Sequence, residues 1–179
     1  MQDGLWRVKF LEIVAQILGY IVTFICIFNS QLKKKWQMLV GSFVANFLNI
    51  PMFFILNGIT SAVTISVVAC AQCSINAFLD YHGKQPSVRQ KIIFTVLYFI
   101  VGMLQYKTWL DLFPIVGSLL FMCGGFQKNA QMMRVFGLLN ALFWIVYDCM
   151  IGTTAVYAQL FSLVSVVIAL YRYRKLAEN

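Results

Sequence analysis

Apolar residues run along this chain in long blocks, separated by short clusters of charge. The stretch from Trp36 to Leu79 holds no charged residue. As one helix it would be about 66 Å long, twice the hydrocarbon thickness of a bilayer, so it must fold back on itself. Asn57-Gly58 supplies the turn at its middle, because both residue types tolerate the backbone of a tight turn. The same reasoning along the chain predicts helices over 13–30, 38–56, 59–79, 92–106, 110–127, 135–150 and 154–171. That makes seven crossings. The fourth is the shortest, and a re-entrant or buried segment is the competing reading of it.

Composition narrows the class. Of the 179 residues, 61% are hydrophobic and 11% charged, against about 45 to 50% and about 25% in a soluble domain. Those values exclude an ordinary soluble domain, a disordered chain and a disulfide scaffold, and make lipid the solvent. At about 20 residues per crossing the helices use up the whole length, so 1–179 reads as a single transmembrane domain. The first apolar block lacks a small-x-small cleavage pattern and runs into Lys33, Lys34 and Lys35, so it is expected to remain as a helix.

The net charge is +8, from 14 Lys and Arg against 6 Asp and Glu. Nucleic-acid binding would gather that charge on one water-facing surface, whereas here it is dispersed between apolar blocks. Its distribution speaks instead to topology. Lys33, Lys34, Lys35, Lys84, Arg89, Lys91, Lys128, Arg134, Arg172, Arg174 and Lys175 fall at one end of the predicted helices, and Arg7, Lys9 and Lys107 at the other. The positive-inside rule then places the N-terminus outside and the C-terminus in the cytoplasm.

An internal repeat emerges once the helices are placed. Asn46 precedes Gly58 as Asn140 precedes Gly152, at an offset of 94 residues, and each glycine is followed by a Thr/Ser-Ala run: Thr60-Ser61-Ala62 and Thr153-Thr154-Ala155. The expected fold is therefore all-α: two parallel three-helix repeats, 13–79 and 110–171, joined by a linker helix at 92–106. A three-helix unit ends on the side opposite its start, so a second copy in the same orientation needs one extra crossing. Helix 4 supplies it.

This three-one-three pattern resembles the SWEET and SemiSWEET transporters of the MtN3-like superfamily. Phe143-Trp144-Ile145-Val146-Tyr147 and Tyr171-Arg172-Tyr173-Arg174-Lys175 are similar to parts of the second and third SemiSWEET helices, and Gly19-Tyr20-Ile21 with Phe28-Asn29-Ser30-Gln31 to the first. Closer still, Leu112-Phe113-Pro114-Ile115-Val116-Gly117, Met132-Met133-Arg134 and the aromatic helix 6 resemble the YgjV-type bacterial inner-membrane proteins along nearly the whole chain. The resemblance implies a multi-pass protein of the bacterial cytoplasmic membrane. Its superfamily side implies a solute site between the repeats, with Gln159 at the position of the substrate-contacting asparagine. Where that superfamily carries Pro-Gln hinges, this chain reads Ser30-Gln31 and Phe126-Gln127.

Candidate chemistry is concentrated on a few helices. Asn140, Trp144, Tyr147 and Asp148 share one stripe of helix 6, and Asp148 is the acidic residue well inside a predicted span, where a carboxylate is costly unless it meets a cavity or a partner. Asn46 and Asn49 share a face of helix 2 just before Pro51. With the superfamily prolines missing, the backbone weak points are Pro51 and Gly124-Gly125, which are candidate hinges or packing positions. No metal or other cofactor is expected: Cys70 and Cys73 form an isolated Cys-x-x-Cys, and His82 is the one histidine. Enzymatic motifs are absent from the sequence, so the chain is not expected to be an enzyme. The expected activity is facilitated passage of a small polar solute across a lipid bilayer, in a monomer or homo-oligomer. The alternative is a non-transporting membrane receptor or interaction protein on the same scaffold.

Overall fold

The computed structural model describes residues 2–58, 61–104, 106, 108–151 and 155–174. It contains seven α-helices: α1 (Gln2–Gln31), α2 (Lys35–Asn57), α3 (Ser61–Tyr81), α4 (Val88–Met103), α5 (Leu112–Gly125), α6 (Ala130–Ile151) and α7 (Ala155–Tyr173). A single 3-10 turn, Trp109–Asp111, leads into α5. Among the described residues four helices are long and apolar enough to cross a membrane, over Lys9–Gln31, Lys35–Leu56, Ala62–Tyr81 and Ala130–Tyr147. Shorter apolar helical stretches cover Trp109–Gly125 and Gln159–Tyr173.

Local chemistry sets the helix ends. Gly58 adopts a φ of 68°, which only glycine tolerates without strain, and its N–H closes α2 on the Phe54 carbonyl at 3.0 Å. Gly83 closes α3 in the same way, with the Lys84 N–H on the Leu79 carbonyl at 2.8 Å. Ser87 opens α4 with a reciprocal capping box: the Gln90 N–H donates to its hydroxyl, and its own N–H donates to the Gln90 side chain. Asn129 caps α6 by accepting the Met132 N–H at 2.7 Å.

The expected turn at Asn57-Gly58 falls where α2 ends, and the number of helices agrees with the sequence reading. Two starts differ. Helix α1 begins at Gln2 instead of residue 13, since Leu5, Arg7, Lys9 and Glu12 are all good helix formers. Helix α6 begins at Ala130 instead of residue 135, because the Asn129 cap starts it and Arg134 is carried inside the helix.

Neighbours in the chain are neighbours in space: α1 packs on α2 and α2 on α3, then α5 on α6 and α6 on α7. The ring closes where α1 meets α7 and where α3 meets α5. Helix α4 packs against both α3 and α5, and α2 touches α6. Small side chains make these approaches close, with Ala15, Ala45, Ala69, Ala141, Ala169, Ser42, Ser118 and Ser165 all buried. Large side chains face outward instead, Phe24 at 62% and Phe28 at 67% exposure among them. That inversion suits a lipid surround.

Two apolar clusters fill the interior. Ile65 and Ala69 of α3 pack with Phe94 and Tyr98 of α4, Met122 of α5 and Phe126 just beyond it. Met38 and Leu39 of α2, Ala77 of α3 and Met133 of α6 close the bundle at the end that carries Lys33, Lys34 and Lys35. Leu39 and Met133 stand at the 94-residue offset of the sequence repeat.

Candidate functional site

The residues expected to line a pocket fall into two groups. On α6, Asn140 and Trp144 converge on Gly117 of α5, where a β-carbon would lie 3.1 Å from both the Asn140 Oδ1 and the Trp144 Nε1. Glycine at 117 thus lets two polar atoms of α6 approach the α5 backbone. The Asn140 oxygen is buried without a hydrogen-bond partner. A buried acceptor beside an indole N–H is an arrangement that a hydroxyl or amide of a bound molecule would satisfy. Tyr147 adds its ring one turn on, edge-to-face with Trp144 at 6.0 Å.

Asn46 and Asn49 on α2, and Gln159 on α7, are half-buried. The Asn46 amide is occupied within its own helix, donating to the Ser42 carbonyl at 2.8 Å. The Asp148 side chain and the turn at Gly152 lie outside the described residues. Pro51 sits in α2 with its ring exposed. Gly124 and Gly125 form the last turn of α5 and are points of close approach: a β-carbon at Gly124 would meet the Phe136 Cβ at 3.0 Å, and one at Gly125 the Gln72 Nε2 at 3.0 Å.

The most heavily bonded polar groups were not among the expected site residues. They sit at the seams of the ring, toward the lysine-rich end. At the α1–α7 seam the Ser165 hydroxyl donates to the Ile27 carbonyl at 2.8 Å and lies 2.6 Å from the Ser30 hydroxyl. Gln31 Nε2 donates to the Ser165 carbonyl at 2.8 Å. Beneath them Arg134 of α6, only 2% exposed, donates Nε to the Ser30 carbonyl at 2.9 Å, Nη2 to the Leu32 carbonyl and Nη1 to the Gln131 Oε1. The face of Tyr173 lies 4.7 Å from the guanidinium, and the Tyr173 hydroxyl donates to the Gln31 carbonyl. Carbonyls at the C-terminal end of a helix carry partial negative charge, so a cation suits this position.

At the α3–α5 seam two side-chain amides do the pinning. Gln72 and Asn76, each 1% exposed, donate to the carbonyls of Met122 at 2.9 Å and Gly125 at 3.1 Å. Their i, i+4 spacing inside an apolar helix was the available signal in the sequence. Helix α4 covers this seam, with Phe94, Tyr98 and Gly102 buried. At the same end Lys35 pairs with Asp80 at 3.3 Å, tying the start of α2 to the end of α3.

Among the described residues no three His, Cys, Asp or Glu side chains gather as metal ligands. The five cysteines are free thiols. Cys70 donates weakly to the Phe43 carbonyl at 3.7 Å, and the deeply buried Cys73 packs as a small apolar group.

Helix length, the outward apolar faces and the polar groups held inside define a multi-helix membrane protein. Residues 13–177 match the Imp-YgjV family of bacterial inner membrane proteins, and the chain belongs to that family. No curated protein and no solved structure matches it.

Proposed function

We propose that this chain is a facilitator for a small polar solute, built as two parallel three-helix units over 13–79 and 110–171 with α4 as the linker. One observation carries the reading: α4 aside, the helix contacts map onto themselves when α1, α2 and α3 exchange with α5, α6 and α7. The α1–α2 and α2–α3 pairs become α5–α6 and α6–α7, the α1–α7 seam becomes the α5–α3 seam, and the α2–α6 contact maps onto itself. A two-fold axis along the membrane normal has that property, and transporters built on parallel repeats hold their substrate near it.

In this reading the lysine-rich end faces the cytoplasm, as the excess of basic residues favours. The Met38, Leu39 and Met133 cluster and the two pinned seams close that end. Asn140 and Trp144 lie about 9 Å and about 15 Å further along α6 than Arg134, on the side away from the closure. The Asn140 oxygen and the indole N–H bind the solute, with the tryptophan ring as an apolar platform; Tyr147, Asn46, Asn49 and Gln159 complete the wall.

Solute counterflow in proteoliposomes, over a panel of sugars, polyols and amino acids, tests this function. At least one solute should accumulate, and Asn140→Leu should abolish that accumulation while leaving thermal unfolding unchanged, because the leucine removes an oxygen with no partner. Folded protein that moves no solute in the panel overturns the proposal, and a non-transporting receptor or interaction protein on the same scaffold takes its place. Labelling cysteines introduced at positions 2 and 179 should find them on opposite sides of the membrane.

A further inference from the structure

A groove of about 370 Å3 runs along the outer surface between α1 and α2, and Asn140 is not part of its lining. Ile21, Phe24, Ile25 and Phe28 form its wall on α1, at the spacing of one helix face. Gly41 of α2 forms part of the floor, and a β-carbon there would collide with the Asn29 amide. That amide lies flat against α2 and donates to the Ser42 hydroxyl at 3.0 Å. Glycine at 41 thus lets the Asn29 side chain of α1 lie close against α2 beneath the groove.

Its length and its end identify the occupant. From Ile21 to Leu32 the groove follows α1 for about 16 Å, close to the half-thickness of about 15 Å that one leaflet contributes to the hydrocarbon core. Leu32, its last lining residue, is followed directly by Lys33 and Lys34. Both are exposed, and neither has an acidic partner among the described residues. Lys35, by contrast, is buried and committed to Asp80. An apolar groove of about one leaflet's length thus ends beside two exposed cations.

We propose that this groove is a binding site for an anionic phospholipid, one acyl chain lying between α1 and α2 and the phosphate held by Lys33 and Lys34. A zwitterionic lipid fits the groove but gains less from the lysines, since its own cation offsets the phosphate. The site is independent of the transport reading.

Native mass spectrometry of the full chain, released from detergent with phosphatidylglycerol or with phosphatidylcholine of the same chains, tests the proposal. A single phosphatidylglycerol should be retained in preference to phosphatidylcholine. K33Q/K34Q should weaken that retention by about 25-fold, about fivefold for each lysine, and leave phosphatidylcholine unchanged. Ile21→Trp, which fills the groove from an exposed position, should weaken both lipids, and K84Q, at an exposed lysine of the α3–α4 loop, neither. Should K33Q/K34Q fail to fold, retention of phosphatidylglycerol by the unaltered protein should still fall as salt is raised, while that of phosphatidylcholine holds. Equal retention of the two lipids overturns the proposal. So does indifference to both variants, occupation of the groove by a second copy of the chain, or competition by glycerol phosphate alone at the concentration of the lipid.

Discussion

The two seams that close the helix ring differ in construction. At α1–α7 the helices are joined by hydroxyls, an amide and a buried guanidinium, gathered at the lysine-rich end. At α3–α5 two amides make the equivalent polar contact, and α4 adds an apolar cover of Phe94 and Tyr98 along the seam. The chain itself also crosses that seam, through α4. Polar bonds near the charged end of the bundle can exchange for bonds to water at little net cost, whereas α3 and α5 are tied together by the chain itself and by α4 packed against both. In the reading proposed above, the α1–α7 seam is the one that opens and the α3–α5 seam the one that pivots, so that the two halves would rock about α4.

The strongest test of that contrast is Arg134→Met. It leaves the carbonyls of Ser30 and Leu32 without their charged donor, and should lower stability in detergent by about 3 kcal/mol in a thermal or denaturant unfolding measurement. A loss no greater than that of an ordinary surface substitution would mean that the α1–α7 seam is held by packing, and the contrast would fail. Arg134→Lys should recover only part of the loss, because an ammonium cannot reproduce the planar fork that reaches three acceptors.

Gly125→Ala probes the other seam. Its methyl would press on the amides of Gln72 and Asn76, and an overpacked helix contact of this kind costs about 2 kcal/mol. If the seam is a pivot, the variant should shift thermal stability by that amount without changing the accessibility of a cysteine placed at Ser30. A change in labelling there would join the two seams into one mechanical unit.

The smallest effect belongs to Ser165→Ala, which removes the hydroxyl bonded to Ile27 and Ser30. Hydrogen bonds between membrane helices average about 0.6 kcal/mol, so its thermal shift should be barely measurable. Cysteine labelling at position 30 should nevertheless accelerate if this seam is the one that opens. An unchanged labelling rate would confine the movable part of the seam to Arg134.

Much of the fold is legible in the sequence because lipid imposes a length. A charge-free run twice the thickness of the bilayer has to turn, and Asn57-Gly58 is where the backbone permits it. The common stripe of Asn140, Trp144 and Tyr147 follows from helical spacing alone. Their neighbour Gly117 was not foreseeable, since nothing in its local sequence says which helix will approach it. Arg134 was misleading in a more instructive way. A cation beside an apolar block reads as the water-facing edge of a helix, yet its acceptors are the carbonyls of Ser30 and Leu32, more than 100 residues earlier, so that it is buried inside α6. Gln72 and Asn76 escaped notice because amides in an apolar helix look the same whether they join two helices or face a cavity.

The span of the Arg134 contact also bears on biogenesis. The carbonyls it binds lie at the end of α1 and just beyond it, and 104 residues separate Arg134 from Ser30. When α6 leaves the ribosome those acceptors already stand at the end of α1, so the guanidinium need not remain unneutralised at the membrane surface. Joining α6 to α1 converts a row of helices into a closed ring, and α7 then seals the joint with Ser165 and Tyr173. A nascent chain stopped before residue 134 should present an open row with α1 unclamped, a form that membrane quality-control proteases can recognise, and synthesis of α6 and α7 is what removes that signal.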